Sequence, residues 1–302
     1  MNEITLVTAF FDIGRKDYKR YPRSNDDYLE YFSVWARMNN KVIVYTNSDM
    51  AKKVIEVRRK YGLESKTIIV EVNDETKIEK ELYDKMHLIS QNDEFLNFRF
   101  IHDALSNNAK YDYVMLLKYW CLKDAVQKGY ANGMVAWIDF GFNHGDKCYI
   151  NPEEFNFTWK TNLNSQKIHL FSLHELDDTP IFKHVMKLDD SLMGAPIILP
   201  DFLCDKFWNL VKLSMKSLIR VGFIDDDQLL ILMAYRENKE LFEIHISDWF
   251  LPLKENGGEH LTVRKKEKVN RKISLKHKIK QYVLKKKVKK DYLNRISTIL
   301  NL

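Results

Sequence analysis

With 45% hydrophobic and 13% aromatic residues over 302 positions, the chain can bury a sizeable core and is not a disordered protein. Its ten glycines include neither G-x-G-x-x-G nor G-x-x-x-x-G-K-S/T, which counts against dinucleotide-binding and P-loop chemistry. The net charge of +6 conceals two opposite parts: residues 264–290 hold fourteen Lys/Arg and one acid, so that segment carries +13 and the remainder −7.

The amino-terminal run "EITLVTAFF" predicts a buried strand, too short for a signal-peptide core or a spanning helix. A helix follows over "SNDDYLEYFSVWARM", opened by Ser24 or Asn25 with acids in its first turn. "KVIVYT" is a second strand, then a helix capped by Asn47 or Ser48 and stopped by Gly62. "KTIIVEV" is a third strand, Glu75 to Lys128 reads as mostly helical, and "MVAWIDF" is a fourth strand. Apolar, β-branched strands alternating with helices indicate a parallel sheet covered on both faces. Beyond Gly141 the pattern loosens into the short strands "KIHLFSL" and "LMGAPIILP". Helices over "DFLCDKFWNLVKLSMKSLI" and "DDDQLLILMAYREN" follow, then a strand "LFEIHI". The expected organisation is an α/β catalytic domain over residues 1–262, with a mixed C-terminal half, and a basic helical tail over 263–302. Cys121, Cys148 and Cys204 lie far apart without a C-x-x-C pair, which fits a reducing, cytoplasmic compartment.

Candidate chemistry gathers at the carboxyl ends of the strands, where open α/β sheets bind ligands. Asp139, at the end of "VAWID", suits a hard divalent cation, Mn²⁺ or Mg²⁺, on a departing diphosphate; the alternative is a turn aspartate. Gly141 permits close backbone approach or positive φ. In "GFIDDDQLL", the acids Asp225, Asp226 and Asp227 open a helix; an N-cap accounts for one or two of them. The third carboxylate and Gln228 suit sugar hydroxyls or a general-base water. His245 is either a satisfied structural histidine or a nitrogen ligand joining Asp139. Leaving the first strand, Thr8, Phe10 and Phe11 could pack a base, although the core also explains the phenylalanines. Asp12 and Arg15 are polar beyond any core reading, and Arg15 suits phosphate. Arg99 and Lys118 are further phosphate candidates, or solvated charges.

With "TAFFDIGR", "WIDFGF" and "DDDQ" in that order, the sequence resembles the HtrL/YibB (WlaTC-like) family, assigned to glycosyl transfer in lipopolysaccharide, lipooligosaccharide and capsule loci. The likeness runs from about Ile4 to Trp249, and "WIDFG" preceded by a helix bearing Lys118 and Trp120 is its most specific part. It implies a GT-A-like fold, with a Rossmann-like, mostly parallel central sheet flanked by helices. It also implies a nucleotide-diphospho-sugar donor, foremost a UDP-sugar, and a Mn²⁺ or Mg²⁺ ion. The Asp-x-Asp expected of such enzymes reads Asp139-Phe140-Gly141 here, so a second ligand would come from His245 or from Asp225 to Asp227. "DDDQLL" resembles the Asp-Gln helix start that contacts the sugar in the glycogenin and lipooligosaccharide galactosyltransferase group.

Residues 264–290 show helical spacing of apolar side chains among the lysines, the pattern of an amphipathic helix on an anionic membrane surface. The expected placement is cytoplasmic, on the inner face of the plasma membrane, acting on a glycan or glycolipid acceptor. Two other classes are weighed beside it. A nucleic-acid-binding protein acting through the tail is disfavoured by the lack of an arginine-rich or stacking pattern. A metal-dependent phosphoryl-transfer enzyme or hydrolase would use Asp139 with Asp225 to Asp227.

Overall fold

The apolar runs become strands because their residues alternate between two cores. In the computed structural model, residues 2–18, 22–99, 108–144, 148–187 and 191–264, with Lys286 and Lys290, are described. Strand β1 spans Asn2–Phe10, β2 Val42–Thr46, β3 Thr67–Glu71 and β4 Met134–Trp137. Between them run α1 (Asn25–Trp35), α2 (Ser48–Lys60), α3 (Lys80–Ser90), α4 (Asp93–Phe98) and α5 (Ala109–Gln127). Then follow β5 (Lys160–Thr161), β6 (Ile168–Ser172), α6 (Ile181–Lys187), β7 (Ile197–Pro200), α7 (Cys204–Arg220), α8 (Asp227–Glu237), β8 (Phe242–Ile246) and α9 (Pro252–Glu255).

The fold is mixed α/β with a central sheet flanked by helices. The strand order is β3-β2-β1-β4-β7-β6-β8, with β5 antiparallel to the start of β1. Strands β3, β2, β1 and β4 are mutually parallel, whereas β7 runs antiparallel to both β4 and β6, and β8 is parallel to β6. Alternation along β1 and β2 sends Val7, Ile43 and Tyr45 into one core with α5, α7 and α8. The intervening Leu6, Val42 and Val44 enter the other, with Phe32 and Trp35 of α1. The chain winds outward from β1 to β3, then crosses to β4 on the opposite side of β1. That reversal between β1 and β4 opens a crevice at their carboxyl ends.

Helix starts follow the sequence signals. Ser24 caps α1 in a capping box with Asp27, and Asn47 caps α2, its side chain accepting from Met50 N. Strand β4 stops at Trp137, two residues short of Asp139. The chain divides into two units, Met1–Val263 and Arg264–Leu302. In the second, Lys286 and Lys290 are helical and exposed, and the expected tail helix otherwise lies outside the described residues. Among the described residues no helix is long and apolar enough to cross a membrane.

Candidate active site

A cleft of about 340 Å³ opens at the carboxyl ends of β1 and β4, within the range of small-molecule sites. The turn after β1 supplies one wall. Asp12 shapes that turn, its carboxylate accepting from Gly14 N and Asn25 Nδ2, each at 2.8 Å. Gly14, at φ 73°, supplies the left-handed residue the turn requires. The turn directs Arg15 into the cleft, its guanidinium 5.5 Å from the Tyr18 ring centroid and 5.8 Å from that of Tyr111. Arg23 lies over Tyr28 on the same wall. Phe10, Phe11, Tyr28 and Phe140 supply the aromatic lining.

The floor is a buried charge cluster. Lys118, from the middle of α5, stands 2.6 Å from Asp227 Oδ2 and 3.0 Å from Asp139 Oδ1, and it reaches Gly194 O at 3.4 Å. Trp137 Nε1 donates to the same Asp139 Oδ1 at 2.8 Å; Ile138 N still donates to Val7 O just past the end of β4, and residues two apart on extended chain share a face. Burial pushes the Lys118 ammonium down, but Asp139 and Asp227 outweigh it and hold it above the ordinary lysine value. Gly194 makes this approach possible: a Cβ there would stand 2.7 Å from Asp227 Cγ and closer still to Oδ2. Gly141 likewise works by close approach, since a Cβ would meet the Tyr28 ring at 3.0 Å.

The three adjacent acids separate into three roles. Asp225 is buried against Arg99, 3.2 Å away. Asp226 is the N-cap of α8, accepting from Gln228 N at 3.1 Å. Asp227 is the partner of Lys118. Gln228 lines the cleft with its Oε1 shielded from solvent and without a hydrogen-bond partner. An acceptor left bare in this way costs free energy until a donor arrives.

Several sequence-predicted residues sit elsewhere. Arg99 is not a phosphate contact: it is buried, paired with Asp225 and donating to Ile224 O at 2.6 Å. Lys118 faces the cleft but is engaged as the counter-ion of two carboxylates, so it is no free phosphate hook. Thr8 is buried within β1 and does not line the cleft. His245 does not join Asp139. It lies on the edge strand β8, three strands from β4, roughly 14 Å away at about 4.8 Å per strand. Phe10, Phe11, Asp12, Arg15, Asp139, Gly141, Asp226, Asp227 and Gln228 do converge on the cleft.

Sequence reasoning missed Arg23, Tyr28, Trp137, His144, Gly194, Trp249 and Phe250, which also line it. Of these, Trp137 was legible, standing two residues before Asp139. Asn143 (φ 67°) and His144 (φ 42°) hold left-handed backbone beside the cleft. The buried Asn143 side chain fixes that turn by donating to Tyr149 O and accepting from Cys148 N and Tyr149 N. Strain of this kind concentrates at functional sites.

A divalent cation meets a narrow donor set here. Among the described residues no three metal-binding groups converge in the cleft, and Asp227 Oδ2 is already taken by Lys118. Trp137 and Lys118 both engage Asp139 through Oδ1, and its side chain is 40% exposed. The fit is therefore to an ion held by one carboxylate, with phosphate oxygens and water completing its shell.

A family model described as "Bacterial protein of unknown function (HtrL_YibB)" matches residues 2–254. "Protein HtrL" of Escherichia coli (strain K12) is 26% identical over 265 residues, covering 82% of this chain and 90% of that protein. Among solved structures, the apo form of mouse xyloside xylosyltransferase 1 aligns over 81% of this chain and 85% of that one. Its TM-score is 0.40 at 12% identity, too remote to assign fold or activity.

Proposed function

We propose that this chain, which belongs to the HtrL_YibB family, is a GT-A-type glycosyltransferase that moves a sugar from a nucleotide diphosphate to a cell-surface glycan or glycolipid. The observation carrying this reading is the division of one cleft into two chemistries. Arg15, Arg23 and aromatic rings suit a nucleotide and its diphosphate. The same cleft also presents Asp226, Asp227 and the bare Gln228 Oε1, which suit a sugar.

In this mechanism Arg15 and Arg23 bind the diphosphate, and the phenylalanines with Tyr28 hold the base. Gln228 Oε1 accepts from a sugar hydroxyl. Asp227, held rigid by Lys118, faces the positive charge that develops at the anomeric carbon as the bond to phosphate breaks. Asp226 takes the proton of the attacking acceptor hydroxyl. A Mn²⁺ or Mg²⁺ ion bound at Asp139 would neutralise charge on the diphosphate leaving group. Residues 264–290 would hold the enzyme on the anionic inner face of the plasma membrane.

The test is thermal-shift screening of nucleotide sugars with and without Mn²⁺, followed by mass spectrometry of products with a soluble acceptor. A bound donor raises Tm by mass action. Asp139→Asn should lower transfer by about 10²-fold or more while the melting curve stays native-like. Wild-type-like turnover in that variant, or hydrolysis of simple phosphate esters in place of transfer, would defeat the reading.

A further inference from the structure

The residue that failed to join Asp139 belongs to a different cluster. On the parallel pair β6–β8, His169 registers with Glu243 and Phe171 with His245. Paired and alternate residues share a face, so His169, Glu243 and His245 project together at the sheet edge. His169 Nδ1 lies 3.0 Å from His245 Nε2 and 3.8 Å from Glu243 Oε2, and His245 Nε2 lies 4.0 Å from Glu243 Oε1. Metal–ligand bonds of 2.0–2.2 Å in a tetrahedron put ligand atoms roughly 3.3–3.5 Å apart. The observed spacings bracket that figure.

The buried His169 is already oriented for ligation. Its Nε2 stands 2.8 Å from Asn164 O, and a carbonyl can only accept, so Nε2 carries the proton and Nδ1 presents its lone pair. Metal-binding histidines are held in this way, with the far nitrogen donating to a backbone carbonyl. The side chains of His245 and Glu243 remain 24% and 46% exposed, leaving a path for the ion and a position for water.

We infer that His169, Glu243 and His245 form a site for a divalent transition-metal ion, Zn²⁺ foremost, separate from the cleft and unlike it in ion preference. Two imidazoles and one carboxylate favour Zn²⁺ over the hard Mg²⁺ and Mn²⁺ that suit Asp139. Binding moves the His245 proton from Nε2 to Nδ1 and replaces the histidine–histidine hydrogen bond with two metal–nitrogen bonds. The ion would fasten the edge strand β8 to β6 just before Trp249 and Phe250, which line the cleft.

Calorimetric titration of the metal-stripped full chain with Zn²⁺ should give one site per chain. Affinity should fall about tenfold or more in His245→Ala and in Glu243→Gln, both at partly exposed positions, and stay unchanged in Asp139→Asn. Co²⁺ should give the visible absorption of a four- or five-coordinate centre, lost in His245→Ala. Far-ultraviolet dichroism of the metal-free variants checks that they fold. Absence of stoichiometric Zn²⁺ binding, equal binding by His245→Ala, or loss of binding in Asp139→Asn would each overturn the inference.

Discussion

Lys118 shows how one residue can join a fold to its chemistry. Its ammonium is the shared counter-ion of Asp139 and Asp227, so removing it leaves two acids near one another, one of them buried. Breaking such a pair from one side costs more than the pair contributes. Lys118→Met should therefore lose roughly 3–5 kcal/mol, read as a lower urea midpoint, and should abolish transfer. Asp112 presents the opposite case. It is fully buried, neither carboxyl oxygen has a hydrogen-bond partner, and burial raises its pKa well above the ordinary aspartate value. Arg99 opposes that rise, and Asp225, Asp226 and Asp227 add to it. The raised value means the unfolded chain releases this proton first, so stability falls as pH climbs from about 3.8 toward the native value. Asp112→Asn removes that loss. It should raise Tm by on the order of 2 °C or more at pH 8, and the gain should vanish near pH 4. A gain that persists at pH 4 would point to packing instead of charge.

At the level of elements, the parallel half was legible because each strand is an apolar, β-branched run between capped helices. The convergence of the site was not. Lys118 and Asp227 stand 109 positions apart, and nothing local marks Lys118 as a cleft residue and Arg99 as a buried strut. The sequence shows two cations in helical surroundings, and only tertiary packing separates them. The same limit hid β5, whose two residues pair with the start of β1. His245 misled because a histidine after an apolar strand suggests a ligand without naming its partners. Arg58 in α2 illustrates a further element-scale tie. Completely buried, it donates to Ala36 O and Met38 O at 2.7 Å, Asn40 O at 2.9 Å and Thr67 Oγ1 at 2.8 Å. One side chain thus locks α2 to the end of α1, the approach to β2 and the start of β3. Arg58→Met would strand those carbonyls, at a cost of about 3 kcal/mol. Urea denaturation should show a lower midpoint at unchanged slope.

For the whole molecule, charge is partitioned as sharply as structure. The unit Met1–Val263 contains the cleft, while the remaining unit holds the whole of the basic segment 264–290. An acidic body and a tail of strong positive charge respond differently to an anionic surface: the body is repelled, and each lysine or arginine near the surface contributes about 1 kcal/mol. Half of the fourteen basic residues engaging would suffice to hold the protein on a membrane. The attraction decays within a Debye length of ~8 Å at physiological ionic strength, so it must weaken steeply with salt. Truncation after Val263 should abolish co-sedimentation with phosphatidylserine vesicles. Full-length protein should bind at low salt and release near 0.5 M NaCl. The truncated chain should keep its nucleotide-sugar response and its activity on soluble acceptors, because among the described residues none that lines the cleft lies beyond Phe250. Vesicle binding that survives truncation would move the membrane contact onto the unit Met1–Val263. Loss of nucleotide binding on truncation would instead show that the tail completes the cleft.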